Sequence, residues 1–118
     1  KNTIDIFFTS SCIQYLKNPL EILSQVAESN ISLVVLTRNH FSSKNEIRAQ
    51  ISYLSENGIG SHLNEYKDNL IYYPNTSIDP KKVIDIFVKN GYSILINTIN
   101  KYELNKSDQG GDLIFSKV

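Results

Sequence analysis

The chain has 118 residues with no net charge, and 41% of them are hydrophobic, which is enough for one globular domain with one core. A neutral chain lacks the basic excess that binds nucleic acids or anionic membranes, so neither is an expected partner. Its longest apolar stretch falls far short of the ~20 residues that span a bilayer, and no signal peptide is visible. The single cysteine, Cys12, excludes an internal disulfide and favours a reducing cytoplasm.

The first 41 residues predict a strand–helix–strand unit. Thr3–Ser10 and Ile31–Thr37 are continuous apolar runs with β-branched and aromatic residues, a pattern typical of strands that are covered on both faces. Between them Asn18 is the expected helix cap and Pro19 the first helical residue, with the helix ending near Ser29. A strand, a covering helix and a second strand form a right-handed crossover, so the two strands are expected to be parallel.

Polar residues follow both strands of this unit. Thr9–Tyr15 comes at the end of the first strand, and Thr37–Phe41 comes at the end of the second. In open sheets with parallel strands, ligands bind beyond the carboxyl ends of the strands. A functional site is therefore expected where these two segments meet.

The middle of the chain is less regular. Glu46–Ser52 alternates apolar and polar residues with a period of two, which favours an edge strand, but the same residues could begin a helix that runs to Glu56. Both interpretations stay open. Ser61–Asn69 is expected to be an irregular excursion, such as a lid or a substrate loop. Leu70–Pro74 is a short aromatic segment that ends at proline.

A second helix and a hairpin are predicted for the rest of the chain. Asp79 is the expected cap, Pro80 the first helical residue, and Gly91 the left-handed residue that ends the helix. Tyr92–Ile99 is predicted to be a strand, and Asp112–Val118, after a polar turn region, the last strand. Because only hydrophilic residues connect them, these strands are expected to pair antiparallel. The order is β-α-β, an insertion, then α-β-β.

This order resembles the C-terminal half of a class I S-adenosylmethionine-dependent methyltransferase, an α/β protein with a Rossmann-like sheet that ends in a helix, a strand and a reversed hairpin strand. Asp5–Leu16 looks like the fourth strand of that fold with its following loop, and Leu33–Phe41 resembles the fifth strand with a Thr-Arg ending. Further segments are similar to bacterial methyltransferases encoded among surface-polysaccharide genes: Gln50, Tyr72–Pro74, Asn90–Tyr92 and Gly111–Phe115.

The resemblance covers nearly the whole chain, so residues 1–118 are expected to form a single domain that is a fragment of a longer protein. The glycine-rich loop and the acidic residue that hold the cofactor in the family are missing, and in the family they lie upstream. Asn57–Gly60 is no substitute, because it does not connect a strand to a helix. The resemblance implies that S-adenosylmethionine binds the intact protein, and that the fragment alone binds it weakly or not at all and is inactive.

The resemblance also implies roles for residues after the first strand. Ser10 and Ser11 would face the methionine end of the cofactor, and Gln14 and Tyr15 would bind the acceptor substrate. The structural alternative is a turn whose hydroxyl groups bind backbone groups. Cys12, which has no implied base partner, is expected to be a small packed residue rather than a nucleophile.

Two residues after the second strand carry a charge or a titratable ring. Arg38 has the forked donors that bind a phosphate or carboxylate of the acceptor. His40 is the candidate general base, because an unperturbed imidazole titrates near pH ~6.5. A solvated arginine and an ordinary loop histidine are the alternatives. His62 is a weaker candidate, and no spacing of Cys and His residues suits a metal such as zinc.

The resemblance implies methyl transfer to a small or saccharide-like hydroxyl or carboxyl acceptor, in polysaccharide biosynthesis, with this chain as the substrate half. One alternative is a non-catalytic α/β interaction domain that has lost the cofactor site. Another is a ligand-binding half domain that works with a second chain. The strand Ile4–Phe8 would normally have a parallel neighbour, so its exposed apolar edge is expected to cause self-association or strand exchange.

Overall fold

The computed structural model describes residues 4–44, 46–53, 69–104 and 109–117, with the backbone alone at 101 and 102. Three features of the sequence analysis lie outside the described residues. They are the predicted excursion before Asn69, the part of the alternative helix that follows residue 53, and His62. The elements, in chain order, are β1 (Ile6–Ser10), a 3-10 turn (Ile13–Tyr15), α1 (Pro19–Glu28), β2 (Leu33–Phe41), β3 (Glu46–Tyr53), β4 (Leu70–Ser77), α2 (Pro80–Lys89), β5 (Ser93–Asn97), α3 (Lys101–Leu104) and β6 (Gln109–Ser116).

The predicted strand–helix–strand unit is confirmed. β1 and β2 pair in parallel, from Ile6 opposite Leu33 to Ser10 opposite Thr37. The helix between them begins at Pro19, whose missing amide hydrogen is not needed in the first turn. The expected cap is only partly correct, because the Asn18 side chain accepts no hydrogen bond from the helix.

The second helix and the final antiparallel hairpin also form, although β6 begins at Gln109 rather than at the predicted Asp112. Asp79 caps α2, since its Oδ1 accepts a hydrogen bond of 2.9 Å from the Lys81 amide. Gly91 follows the helix at φ 87°, a conformation that costs glycine nothing. β5 and β6 pair antiparallel, and β6 lies between β2 and β5, so the sheet order is β1-β2-β6-β5. The predicted polar turn region between them contains α3, whose Leu104 is buried.

The two long helices cover one face of this sheet. Leu23 on α1 and Val83 on α2 are fully buried, and α2 places Phe87 in a stack on Phe115 of β6, with ring centroids 4.4 Å apart. One continuous core results, and it joins both helices to the two central strands. The largest fully buried side chains are Phe41, Phe87, Phe115, Ile13, Leu23 and Leu36.

The opposite face of the sheet is bare within the described residues. Ile6 is 57% exposed and Phe8 65% exposed, and their parallel partners on the same face, Leu33 and Val35, are half-buried. The expectation that both faces of these strands are covered is therefore wrong for this part of the chain, because α1 and α2 pack on the same side. β1 is also the outermost strand of the described sheet, but self-association through its edge stays a prediction.

Residues 46–53 form a strand, which decides the alternative that the sequence left open. β3 pairs antiparallel with β4 in a separate two-stranded sheet, called here the ribbon. The aromatic segment that ends at Pro74 belongs to a longer strand, because β4 runs from Leu70 to Ser77. A proline is tolerated there since each strand of a two-stranded ribbon has one edge without backbone pairing. Among the described helices, none is both long and apolar enough to cross a membrane.

Candidate functional site

A groove of about 590 Å³ lies beyond the last parallel pair of β1 and β2, where the sequence predicted a site. The loop after β1, the end of β2, the residue after β5 and the start of β6 all reach this edge, and β3 of the ribbon forms one wall. The residues that line the groove are Ser11, Gln14, Tyr15, Arg38, Asn39, His40, Gln50, Thr98, Gly110, Gly111 and Asp112.

The structure brings five of the six predicted site residues to this groove. They are Ser11, Gln14, Tyr15, Arg38 and His40. The sixth, Ser10, is half-buried inside β1 opposite Thr37 and does not line the groove. Cys12 is exposed and free, so the expectation of a packed cysteine is wrong.

The loop after β1 is held by a left-handed residue. Ser11 has φ 49°, and its amide donates a 3.0 Å hydrogen bond to the Thr37 carbonyl, which ties the loop to β2. Its hydroxyl accepts a hydrogen bond of 3.1 Å from Gln14 Nε2. Gln14 is only 2% exposed, and its Oε1 is buried with no hydrogen-bond partner among the described residues.

A bulge shapes the end of β2. Its register with β6 shifts between Leu36 and Asn39, and Arg38 within the bulge has φ 53°. A non-glycine residue in this region costs roughly 1–2 kcal/mol and needs a compensating contact. Asp112 supplies one, because its Oδ1 accepts a 2.8 Å hydrogen bond from the Arg38 amide. The Asp112 amide in turn donates to Thr98 Oγ1 at 2.8 Å.

His40 is oriented by the ribbon. Its Nδ1 lies 3.2 Å from Asn75 Nδ2 and 3.4 Å from Asn75 Oδ1. The same Asn75 Nδ2 donates to Gln50 Oε1 at 2.8 Å, and Tyr15 donates its hydroxyl hydrogen to that oxygen at 3.4 Å. When Nδ1 carries the proton and donates to Asn75 Oδ1, the exposed imidazole keeps a basic Nε2. The arrangement can therefore supply a base at this edge of the sheet.

Several residues of the site had no assigned role in the sequence analysis. Asn39 is fully buried, donates from Nδ2 to the Gly111 carbonyl at 3.1 Å, and leaves its Oδ1 without a partner among the described residues. An amide side chain at the end of a buried apolar strand is the signal that could have indicated it. Gln50 and Asn75 had no such signal, because they reach the site only when the ribbon folds against the 3-10 turn.

Glycines and aromatic rings limit the shape of the groove. A Cβ on Gly111 would lie 3.0 Å from Ile99 Cγ1 and 3.4 Å from Phe41 Cδ2, so this position allows no side chain without movement. At the ribbon wall, Tyr15 packs edge-on against Tyr73 with ring centroids 5.5 Å apart. Gly111 thus presents only backbone to the groove, and Tyr15, supported by Tyr73, is the aromatic residue among those that line it.

Tyr92 belongs to the core rather than to the groove. It is 3% exposed, and its hydroxyl donates a 2.7 Å hydrogen bond to the Ile31 carbonyl. Burial raises the pKa of the Tyr92 phenol above its ordinary value.

Comparisons with known proteins identify a neighbour in fold only. No protein-family model and no curated protein sequence matches the chain. Among solved structures, the chain is similar to the N-terminal domain of EvdMO1, which was solved in the presence of SAH and D-fucose. The likeness has a TM-score of 0.50 at 9% sequence identity, and it covers 97% of this chain but 47% of that chain. The chain thus has a mixed α/β fold similar to that domain and spans about half of its length.

Proposed function

We propose that the chain is the acceptor-binding half of an S-adenosylmethionine-dependent methyltransferase that acts on a hydroxyl group of a saccharide-like molecule. One observation carries the proposal: a histidine held by Asn75 faces a polar groove at the carboxyl ends of parallel strands, in a fold similar to a domain solved with SAH and D-fucose. A role in cytoplasmic polysaccharide biosynthesis extends this proposal to the cell.

The chemistry of the lining supports a saccharide acceptor. Most of its side chains are neutral hydroxyl or amide groups, including Gln50 and Thr98, and these both donate and accept hydrogen bonds as sugar hydroxyls do. The Tyr15 ring adds an apolar surface against which the C–H face of a sugar packs. Arg38 is the single cation among the described residues of the lining, and it would bind a phosphate or carboxylate attached to the sugar.

His40 is the proposed general base. In the tautomer whose Nδ1–H donates to Asn75 Oδ1, Nε2 is the atom that takes the proton of the acceptor hydroxyl as the oxygen attacks. The proposed role of the wall residues Tyr15 and Gln50 is to orient the acceptor so that this hydroxyl lies within reach of His40. When bound, the cofactor supplies an electrophilic methyl group on a sulfonium sulfur.

The described residues fit only one end of that cofactor. Gln14 Oε1 and Asn39 Oδ1 are buried acceptors beneath the groove, and a donor or a cationic group that reached them would recover about 1–3 kcal/mol each. Ser11 beside them is the proposed contact for the methionine end, and Ser10, which is paired in β1, is the weaker one. The nucleoside has no such counterpart, since no glycine-rich turn links a strand to a helix within the described residues. We therefore infer that residues 1–118 are part of a longer protein whose other half binds the nucleoside.

Two observations favour a second candidate, a non-catalytic α/β interaction domain. The described sheet has one bare apolar face, and the connection from β1 to α1 contains no glycine. Such a domain would keep the fold without binding the cofactor.

Calorimetric titration of S-adenosylhomocysteine separates the two candidates. We expect binding to the full-length natural protein and weak or no binding to this chain alone. Binding to neither protein would overturn the methyltransferase proposal and favour the interaction domain. Methyl transfer to a sugar hydroxyl by the full-length protein, with loss of activity in His40→Ala, would complete the test.

A further inference from the structure

The ribbon has one polar and one apolar face. In its register Gln50 lies opposite Tyr73 and Arg48 opposite Asn75, so these residues share the inner face towards the groove. The alternate positions form the outer face, and none of the described residues at these positions is charged. The residues that define the outer face are Ile47, Ala49, Ile51, Tyr53, Leu70, Tyr72, Pro74 and Thr76.

None of the described residues covers the outer face. Ile47 is 74% exposed, Ile51 55%, Leu70 43% and Tyr72 64%. The alternation is inverted relative to an ordinary surface ribbon, in which the apolar residues face the core and the polar residues face water. The inner face packs on the 3-10 turn, so the ribbon forms in the monomer, and a surface that covered its apolar face would stabilise it further.

We propose that the outer face is the dimer interface between two copies of this chain. The face carries no charge at the positions that define it, so its partner surface must also be uncharged, and the same face of a second copy meets that requirement. Taking about 200 Å² for each fully exposed large side chain, the four exposed residues just described present roughly 500 Å² per copy, and two copies would bury about 1,000 Å². This area reaches the size at which specific interfaces begin.

Comparison of the two possible contacts between copies favours a two-fold dimer. The other bare apolar surface includes Ile6 and Phe8 on β1, and contact between the outer face of one copy and that surface of the next would be head-to-tail. Such a contact forms rings or open fibres, whereas the outer face packed on itself closes as a dimer. The dimer interface is thus separate from the β1 edge, and it does not depend on the proposed enzyme activity. It would stabilise the ribbon whose inner face carries Gln50 and Asn75.

Sedimentation equilibrium of the full-length protein tests the dimer. We expect Ile51→Thr/Tyr72→Thr, which keeps β-favouring residues, to raise the dimer Kd by at least about tenfold. Two matched controls remove exposed apolar side chains elsewhere: Val88→Thr on α2, which is 51% exposed, and Phe8→Thr on β1, which is 65% exposed. Both controls should leave the Kd within about twofold of the unmodified protein.

If circular dichroism shows that the double variant does not fold, a second variant still tests the dimer interface. Ile47→Lys changes the most exposed large apolar side chain of the outer face, so the monomer should tolerate it, while two buried lysines would oppose the dimer. A protein that remains monomeric at about 100 µM would overturn the proposal. So would a dimer that Phe8→Thr dissociates and the outer-face variants do not.

Discussion

His40 at the end of β2 and Asn75 in the middle of β4 meet side chain to side chain, with His40 Nδ1 3.2 Å from Asn75 Nδ2. Asn75 is 6% exposed and also donates to Gln50, so its amide has few other orientations. A positioned imidazole is a better base than a mobile one, because the proton acceptor stays within reach of the substrate.

Replacing Asn75 by leucine should release His40 without removing it. In the full-length protein we expect about tenfold lower kcat for acceptor methylation and a little-changed KM for the cofactor, since the base would be misplaced in the reacting complex. The ¹⁵N shifts of the His40 ring should move towards those of an exposed histidine. Thr76→Val, at the neighbouring position of β4, is the control. Unchanged ring shifts in Asn75→Leu would contradict the positioning role.

Arg38→Gly should stabilise the protein while weakening the acceptor site. The left-handed backbone at Arg38 costs roughly 1–2 kcal/mol, and glycine avoids that cost but adds about 0.4–1 kcal/mol of unfolded-chain entropy. A net gain of about 0.5 kcal/mol should raise Tm by ~2 °C. Arg38→Ala keeps the Cβ and should show no gain. If both variants melt at the same temperature, the strain argument fails. The affinity for a sugar phosphate is measured separately, and it should fall in both variants because both lack the guanidinium.

Gly111→Ala should destabilise the fold more than Gly110→Ala. The added Cβ at Gly111 would lie 3.0 Å from Ile99 Cγ1, whereas at Gly110 the nearest atom, the Asn39 carbonyl oxygen, is at an ordinary 3.7 Å. We expect a loss of about 1–3 kcal/mol for Gly111→Ala, typical of overpacking, and a small loss for Gly110→Ala. Urea denaturation of the two variants gives the comparison. Equal losses would show that the Ile99 contact does not control this position.

The burial of Tyr92 predicts that the protein loses stability at alkaline pH. Burial raises its pKa above the ordinary 10.0, so the neutral phenol is favoured in the folded state. Its contribution is fully present below pH 10.0 and is lost as the pH rises through the raised pKa, because the unfolded chain ionises more easily. Denaturation midpoints between about pH 8 and 11 should fall more steeply than in Tyr92→Phe.

The Tyr92→Phe control has a cost of its own. The free energy of unfolding of Tyr92→Phe should be about 1 kcal/mol lower at neutral pH, because the Ile31 carbonyl loses its 2.7 Å hydrogen-bond donor. If the denaturation midpoints of the two proteins fell equally with pH, Tyr92 would not be the cause of any loss of stability at alkaline pH.

Local signals in the sequence predicted the elements that depend on local physics. Pro19 and Pro80 fixed both helix starts, and Gly91 fixed a helix end, because each effect comes from the backbone of one residue. The parallel pairing of β1 and β2 followed from the short helical connection between them. The meeting of Ser11 and Arg38 at one edge followed from that pairing.

The remaining features depend on contacts between distant segments. The alternation in β3 indicated a strand, but it did not say which face would meet the groove, so Gln50 could not be assigned to the site. Asn75 has the same difficulty, because its role depends on pairing across the residues between β3 and β4. The apolar run of β1 predicted cover on both faces. Helices α1 and α2 pack on one face only, and no local pattern distinguishes these outcomes.

The position of β6 also has a consequence for folding while the chain is synthesised on the ribosome. β6 is the last described strand to be synthesised, yet it lies between β2 and β5 and bonds to both. Until it emerges, the β1–β2 pair and β5 have no shared neighbour, and the apolar edge of β2 stays open to chaperones or to other nascent chains. Emergence of β6 is therefore the step that completes this sheet.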